Sequence, residues 1–344
     1  MNQKATTWRS PSNIALVKYW GKYEPQLPAN ASLSFTLSNS YTETTLTILE
    51  EEADQEFDFE IYLSGQKADD FKPKIEKFLA RISAELDFLK GHKFRIDTHN
   101  SFPHSSGIAS SASGMSALAL CLLDLKPGAP AAMSEAFLQE ASIWARLGSG
   151  SASRSVYPRL GLWGKLESES ASSDEYAIPY QGPVHEVFED YRDTILLVEK
   201  GQKAVSSTAG HGLMNGHPFA KNRFAQAHEN MDKLKTILAS GDLEAFGQLV
   251  EHEALTLHAM MMTSQPYFIL MKPNTLKIIE EIWAFRKETG KPVHFTLDAG
   301  ANVHLLYPAA IEQEALEFVK TKVSSYLKKG EYICDQVGNG PVKL

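Results

Sequence analysis

The chain is poor in the features that mark several protein classes. It has two cysteines in 344 residues, Cys121 and Cys334. That is too few for a disulfide framework and points to a reducing compartment without a structural zinc site. A basic surplus is also missing: 34 Lys and Arg against 42 Asp and Glu leave a formal charge of −8. This balance disfavours nucleic acid or an anionic membrane as the main partner, while a few local cations could still hold a small anion. No apolar run approaches the roughly 20 residues needed to cross a bilayer, and residues 1–9 lack a signal-peptide core, so a cytoplasmic location is expected. Three catalytic signatures are absent as well: Gly-x4-Gly-Lys-Ser/Thr, the Gly-x-Ser-x-Gly elbow and the kinase His-Arg-Asp triplet.

What is present is an ordinary globular composition, 43% hydrophobic and 22% charged, in a chain long enough for two domains. Glycine, serine and one proline crowd residues 102–114, just ahead of the apolar helical segment 115–123. Unpaired N–H groups at such a helix start suit a phosphate, although a serine there can equally act as a plain cap. A second Gly/Ser cluster, residues 148–153, runs into Arg154, whose fork suits a carboxylate or phosphate; an interhelical loop is the alternative. Residues 8–22 read as an apolar strand ending in Lys18, Tyr19, Trp20 and Lys22, either an anion site with an aromatic wall or exposed lysines beside core aromatics. The strand 293–297 ends in Asp298 and a glycine turn, which presents a carboxylate on rigid backbone or merely stabilises the turn.

Periodicity predicts further elements. Segments 43–49 and 57–63 read as strands joined by an acidic hairpin loop, and 72–89 as an amphipathic helix. Helices are also expected over 133–146 with Ser134 as N-cap, 220–238, 243–262, 274–289 and 311–329, with Gly241 and Gly290 at helix ends. Strands are expected over 93–99, 161–166, 194–198 and 303–307. His252, Glu253 and His258 do not make a zinc motif, because the histidines are six apart, and they read as surface or packing residues. Met260, Met261 and Met262 read as core. A boundary near residues 180–184 divides the chain into domains 1–183 and 184–344.

The pattern Pro103-x3-Gly107-x2-Ser110-Ser111-Ala112 resembles the phosphate loop of the GHMP kinase superfamily. Residues 13–22, 148–155, 206–208 and 295–300 resemble the diphosphomevalonate decarboxylases, in that family's order. The resemblance implies an α/β (α+β) two-domain fold: an N-terminal domain like ribosomal protein S5, a ferredoxin-like C-terminal domain, an active site between them, and a homodimer. It implies that ATP phosphorylates the tertiary 3-hydroxyl of mevalonate 5-diphosphate, after which phosphate and CO2 leave to give isopentenyl diphosphate for isoprenoid biosynthesis.

In this reading Asp298 takes or orients the hydroxyl proton, Lys18 keeps that carboxylate ionised, Arg154 holds the substrate carboxylate, and Asn13 orients Lys18 or the substrate. Tyr19, Trp20, Gly21, Lys22, Lys74, Ser149, Gly150, Ser151, Ala152, Ser153 and Thr208 complete the substrate site. Ser105, Ser106, Gly107, Ala109, Ser110, Ser111 and Ser113 hold ATP, with Mg2+ at Ser110 and Ser111. The chain departs from the family at Lys74, where an arginine is usual, and at residues 155–159, where glycines are usual. A phosphomevalonate decarboxylase and a mevalonate 3-kinase-type relative keep the same fold, and an RNA binder with an S5-like fold is the reading from another class.

Overall fold

A computed structural model describes residues 4–103, 108–199 and 207–344. Nine strands lead the chain: β1 (Lys4–Val17), β2 (Lys22–Tyr23), β3 (Leu27–Pro28), β4 (Ser32–Glu52), β5 (Asp58–Leu63), β6 (Gln66–Lys67), β7 (His92–Asn100), β8 (Leu160–Trp163) and β9 (Ala177–Pro179). Helices α1 (Lys72–Arg81), α2 (Ser110–Leu125) and α3 (Glu135–Gly148) lie between them. A second set follows: β10 (Arg192–Leu196), α4 (Ser207–Gly212), α5 (Ala220–Ser240), α6 (Leu243–Met262), α7 (Pro273–Thr289), β11 (His294–Thr296), β12 (Val303–Tyr307), α8 (Glu312–Phe318), β13 (Tyr332–Gln336) and β14 (Val342–Lys343).

Two main sheets result. The first has the order β14-β1-β4-β7-β5-β6, with β8 on β4 and β9 on β8; the second has the order β11-β12-β10-β13. The tail of the chain returns to the first sheet, where β14 pairs with Trp8 and Arg9 of β1. Together these layers form the mixed α/β fold expected from the sequence.

The central helix α2 is apolar almost all round because it is enclosed on nearly every side. Its few polar residues meet hydroxyls of the sheet: Ser116 Oγ lies 2.7 Å from Ser10 Oγ, Asp124 accepts from Thr6 at 2.5 Å, and Ser113 Oγ lies 2.7 Å from Thr42 Oγ1. These bonds satisfy groups that would otherwise be buried unpaired, and they fix α2 along its length over the sheet. A separate apolar core joins the two halves, packing Ile14, Leu16 and Leu33 against Ile195, Met231 and Val250. Among the described residues no helix is long and apolar enough to cross a membrane.

Three local expectations need correction. The acidic segment 50–56 is not a hairpin loop: β4 runs on to Glu52, and β5 lies beyond β7, paired with it in parallel. The predicted helix 72–89 ends at Arg81, because Ile82 leaves helical geometry at φ −119° and ψ 15°. Two 3-10 turns then carry Leu86 and Leu89 into the core. The predicted helix 311–329 is α8 alone, followed by a π-turn over 319–323 and shorter turns. Ser134 does cap α3, accepting from the Phe137 N–H, and Gly241 and Gly290 close α5 and α7 with left-handed backbone.

Candidate active site

Lys18 follows an irregularity in the β1–β4 register between Ala15 and Val17 that redirects the end of the strand. Its ammonium meets the Asp298 carboxylate, Nζ to Oδ1, at 3.0 Å. The partners belong to different halves of the chain: Asp298 lies just past β11, in a turn closed by the Gly300 N–H donating to its own carbonyl at 2.7 Å. Lys18 is enclosed, its side chain 2% exposed, while that of Asp298 keeps 24% open. The ion pair thus turns its carboxylate side toward solvent and any substrate.

Arg154 stands nearby on a 3-10 turn, residues Gly150–Val156, that continues directly from α3. Asn13 Oδ1 accepts from its Nε and Nη2, both at 3.4 Å, and Ser32 Oγ accepts from Nη1. Asn13 in turn donates to Ser155 Oγ at 2.8 Å and to the Ser151 carbonyl at 3.1 Å. Asn13 therefore orients Arg154 rather than Lys18. Burial pulls the Arg154 guanidinium down to about 10, partly offset by the charge of Asp298, so it remains cationic near neutrality. One N–H on each terminal nitrogen is left for a ligand, the geometry a carboxylate would use.

A cationic rim adjoins this centre. Lys22 donates to Gln26 at 2.5 Å, Arg81 donates to Glu24 at 2.9 Å, and Lys77 and Lys74 stand close enough to perturb Lys22 or be perturbed by it. Burial lowers Lys22, Glu24 counteracts, and Arg81 and Lys77 lower it further. Surrounding protein and Lys22 also lower Lys74, although much of that side chain stays open to water. Four cations cluster here, of which Lys22 and Arg81 pair with Glu24, and they make a site that an anion would relieve.

Tyr19 forms the wall, its ring 4.7 Å from that of Trp163 and 4.2 Å from that of His211. Gly150 must be glycine here, since a Cβ would lie 2.7 Å from the Trp163 ring and 2.9 Å from the Tyr19 hydroxyl. Gly21 has φ +96° and lets its N–H donate to His211 Nδ1 at 3.0 Å.

The two Gly/Ser segments meet where Ser111 Oγ lies 3.3 Å from Ser149 Oγ. Ala109 takes a left-handed conformation before α2, and Ser110 and Ser111 open onto a cavity of about 170 Å³. Its walls are apolar, with Ile61, Ile96 and Leu118 among them, and Lys74, Thr98 and Asn100 add polar groups.

Other expected site residues are used differently. Ser113 is fully buried, its hydroxyl 2.7 Å from Thr42 Oγ1 and 3.4 Å from the Ser110 carbonyl, so the sheet and its own helix take it up. Ala152 is core, and Ser153 is buried with its hydroxyl on the Gly150 carbonyl at 2.9 Å. Trp20 packs into an apolar cluster with Met214, Leu257 and Met261, so Tyr19 alone of the two aromatics faces the site. Met260 and Met261 are core as expected, but Met262 is exposed. Ser105, Ser106 and Gly107 lie outside the described residues, as does the side chain of Thr208.

Sequence reasoning passed over a layer behind Lys18. Of the surface or packing readings offered for Glu253, packing holds: it is buried and takes the Lys18 N–H at 2.8 Å together with Arg223 and Asn230. His258 donates from Nε2 to the Asp298 carbonyl at 3.1 Å. The available signal was a set of ionisable residues, Glu251, Glu253 and His258 among them, inside the largely apolar α6, a pattern that reads as buried and partnered once metal spacing is excluded.

Comparison with known proteins agrees with this architecture. Residues 10–176 match the diphosphomevalonate decarboxylase-like N-terminal domain, and residues 194–341 match the mevalonate 5-diphosphate decarboxylase C-terminal domain. A diphosphomevalonate decarboxylase of Danio rerio is 30% identical over 313 residues, covering 86% of this chain and 74% of that protein. A phosphomevalonate decarboxylase of Haloferax volcanii is 30% identical over 308 residues, 88% of this chain and 87% of that one. A solved structure described as MDDEF in complex with MVAPP, AMPPCP and magnesium superposes with a TM-score of 0.85 at 27% identity, covering 100% of this chain and 99% of the other. With both halves matched and the relatives aligned over most of their length, the chain belongs to the diphosphomevalonate decarboxylase family.

Proposed function

We propose that the protein catalyses the ATP-dependent decarboxylation of mevalonate 5-diphosphate to isopentenyl diphosphate. The observation that carries this reading is the Lys18–Asp298 pair at 3.0 Å beside the buried guanidinium of Arg154. Asp298 accepts the proton of the tertiary hydroxyl as its oxygen bonds to the γ-phosphorus and ADP leaves, and Lys18 offsets charge at that oxygen. Arg154, held by Asn13 and Ser32, aligns the substrate carboxylate. The C–C bond to that carboxylate then breaks, its electron pair forms the alkene, and the C3–O bond breaks to release phosphate with CO2.

The diphosphate is assigned to the cationic rim, Lys22 and Lys74, with Tyr19, Gly21, Ser149, Ser151 and Thr208. The ATP phosphates are assigned to Ser105, Ser106, Gly107, Ala109, Ser110 and Ser111, and the nucleoside to the adjoining cavity. Among the described residues no cluster of three or more His, Cys, Asp and Glu gathers to hold a metal ion. The hydroxyls of Ser110 and Ser111 suit a hard cation that arrives on the triphosphate and keeps some of its waters. Bound there, Mg2+ neutralises phosphate charge.

Within this reading the chain divides at 183/184, which the separation of the two sheets between β9 and β10 supports. The enzyme works as a cytoplasmic homodimer. Two free cysteines support a reducing compartment, and exposed Leu276 and Trp283 on α7 support self-association. A second reading, the monophosphate as substrate, is favoured by Lys74 in place of an arginine and by the Haloferax relative.

Incubation of the protein and ATP with mevalonate 5-phosphate and 5-diphosphate in parallel tests both readings. CO2 and ADP in equal amounts from the diphosphate are expected. CO2 from the monophosphate alone would transfer the assignment to the second reading, and ADP without CO2 would make the protein a kinase.

A further inference from the structure

Lys18 is held by more than its ion pair. The Glu253 carboxylate, on α6, accepts the Lys18 backbone N–H at 2.8 Å, while Arg223, on α5, donates to the Lys18 carbonyl at 3.1 Å. The two side chains are joined to each other, at 3.0 Å and 2.6 Å, and both are wholly buried. Asn230 donates to Glu253 at 2.6 Å and Asn30 donates to the Lys18 carbonyl at 3.0 Å. Both peptide groups of one residue are thereby tied to the other half of the chain. The same helix α6 also carries His258, which donates to the Asp298 carbonyl.

A buried ion pair is weak evidence for stability, since desolvation cancels much of its attraction and an apolar pair of similar volume often serves as well or better. Here the pair is spent on the peptide of the residue that must face Asp298. We infer that Glu253 and Arg223 are positioning residues for the reaction, a clamp that sets Lys18 against Asp298. The inference rests on the decarboxylase reading and assigns the clamp no contact with substrate.

Two consequences differ from those of a merely structural pair. Misplacement by about 1 Å can cost on the order of 10²-fold in rate without loss of binding. A carboxylate that loses its neighbouring cation is also more easily protonated. Among the described residues, the charged and titratable groups facing Asp298 include Lys18 just past β1, Arg154 from the 3-10 turn, His258 from α6, and His304 from β12 backed by Asp193 of β10. Of these, Lys18 is the one whose peptide the clamp holds.

Glu253→Gln places an amide donor against N–H groups that now meet a carboxylate. In steady-state assays of the whole enzyme with ATP and mevalonate 5-diphosphate, kcat is expected to fall about 10²-fold while KM for ATP stays within about threefold. The acid limb of the kcat profile should move to higher pH. Arg223→Lys keeps the charge but loses the fork, and it serves as the second variant if Glu253→Gln does not fold. A folded variant with kcat within about threefold of wild type, or with reduced kcat and an unmoved acid limb, overturns the clamp. A wild-type enzyme that releases no CO2 would instead overturn the decarboxylase reading, so the two failures are distinguishable.

Discussion

At the scale of single residues, the chemistry depends on an asymmetry between two partners. Lys18 is shut away from water while the Asp298 carboxylate keeps an open side, so a substrate hydroxyl reaches the carboxylate and not the bulk of the lysine. Asp298→Asn preserves the shape and removes the basic oxygen. Turnover of that variant is expected to fall about 10²–10⁴-fold, with nucleotide affinity by titration near wild type. Unchanged turnover would remove Asp298 from the proton transfer. Arg154 shows how much a sequence leaves open. Its residue type and Gly/Ser context already suggested an anion ligand, but its support by Asn13 and Ser32 depends on contacts 141 and 122 residues apart in sequence.

At the scale of elements, the opening of α2 joins two sites. Ser111 touches Ser149 of the second Gly/Ser segment, and the same helix start borders the apolar cavity. Leu63, at the end of β5, lines that cavity and is only half buried, so a larger side chain there intrudes without breaking the core. Leu63→Trp is expected to raise KM for ATP about tenfold, a loss of about 1.4 kcal/mol of binding, while KM for mevalonate 5-diphosphate stays unchanged. An unchanged KM for ATP would take the nucleoside out of this cavity. The helix start was legible because glycine, serine and an apolar run occur together. The end of α1 was not: Leu86 and Leu89 continue the apolar spacing, and tertiary packing takes them inward through 3-10 turns.

At the scale of the molecule, several buried histidines link stability to pH. Burial pulls His258 down to about 4, with the Asp298 carbonyl raising it slightly, and pulls His211 to about 3 with Lys22. Both folded values lie below the unfolded value of about 6.5. The unfolded chain therefore binds more protons in between, and the stability these groups contribute above about 6.5 is lost as pH falls toward 4. His304 runs the other way. Burial lowers it, but the Asp193 carboxylate at 2.7 Å raises it overall, so its contribution is present below about 6.5 and is lost as pH rises through its folded value. Two lowered groups against one raised group give an expected fall in Tm from about pH 7 to about pH 5, shallower in His258→Gln. A Tm that is flat over that interval in the wild type would contradict the balance.

Read without coordinates, the residues already specify the elements that depend on short-range pattern. These include the apolar α2, the capped α3, the glycine-closed α5 and α7, and the strand carrying Asp298, because helix and strand periods and caps are properties of neighbouring positions. The matched segments also determine the family, since they carry its residues in its order. Packing alone decides which ionisable residues work together. Glu253 reads as a surface or packing residue until α6 is laid beside the end of β1, 235 positions away, where enclosure leaves its carboxylate no stable state without Arg223, Asn230 and the Lys18 N–H. The position of β5 beyond β7 has the same origin: strand order follows from which buried faces meet, and that choice has no trace in a local pattern.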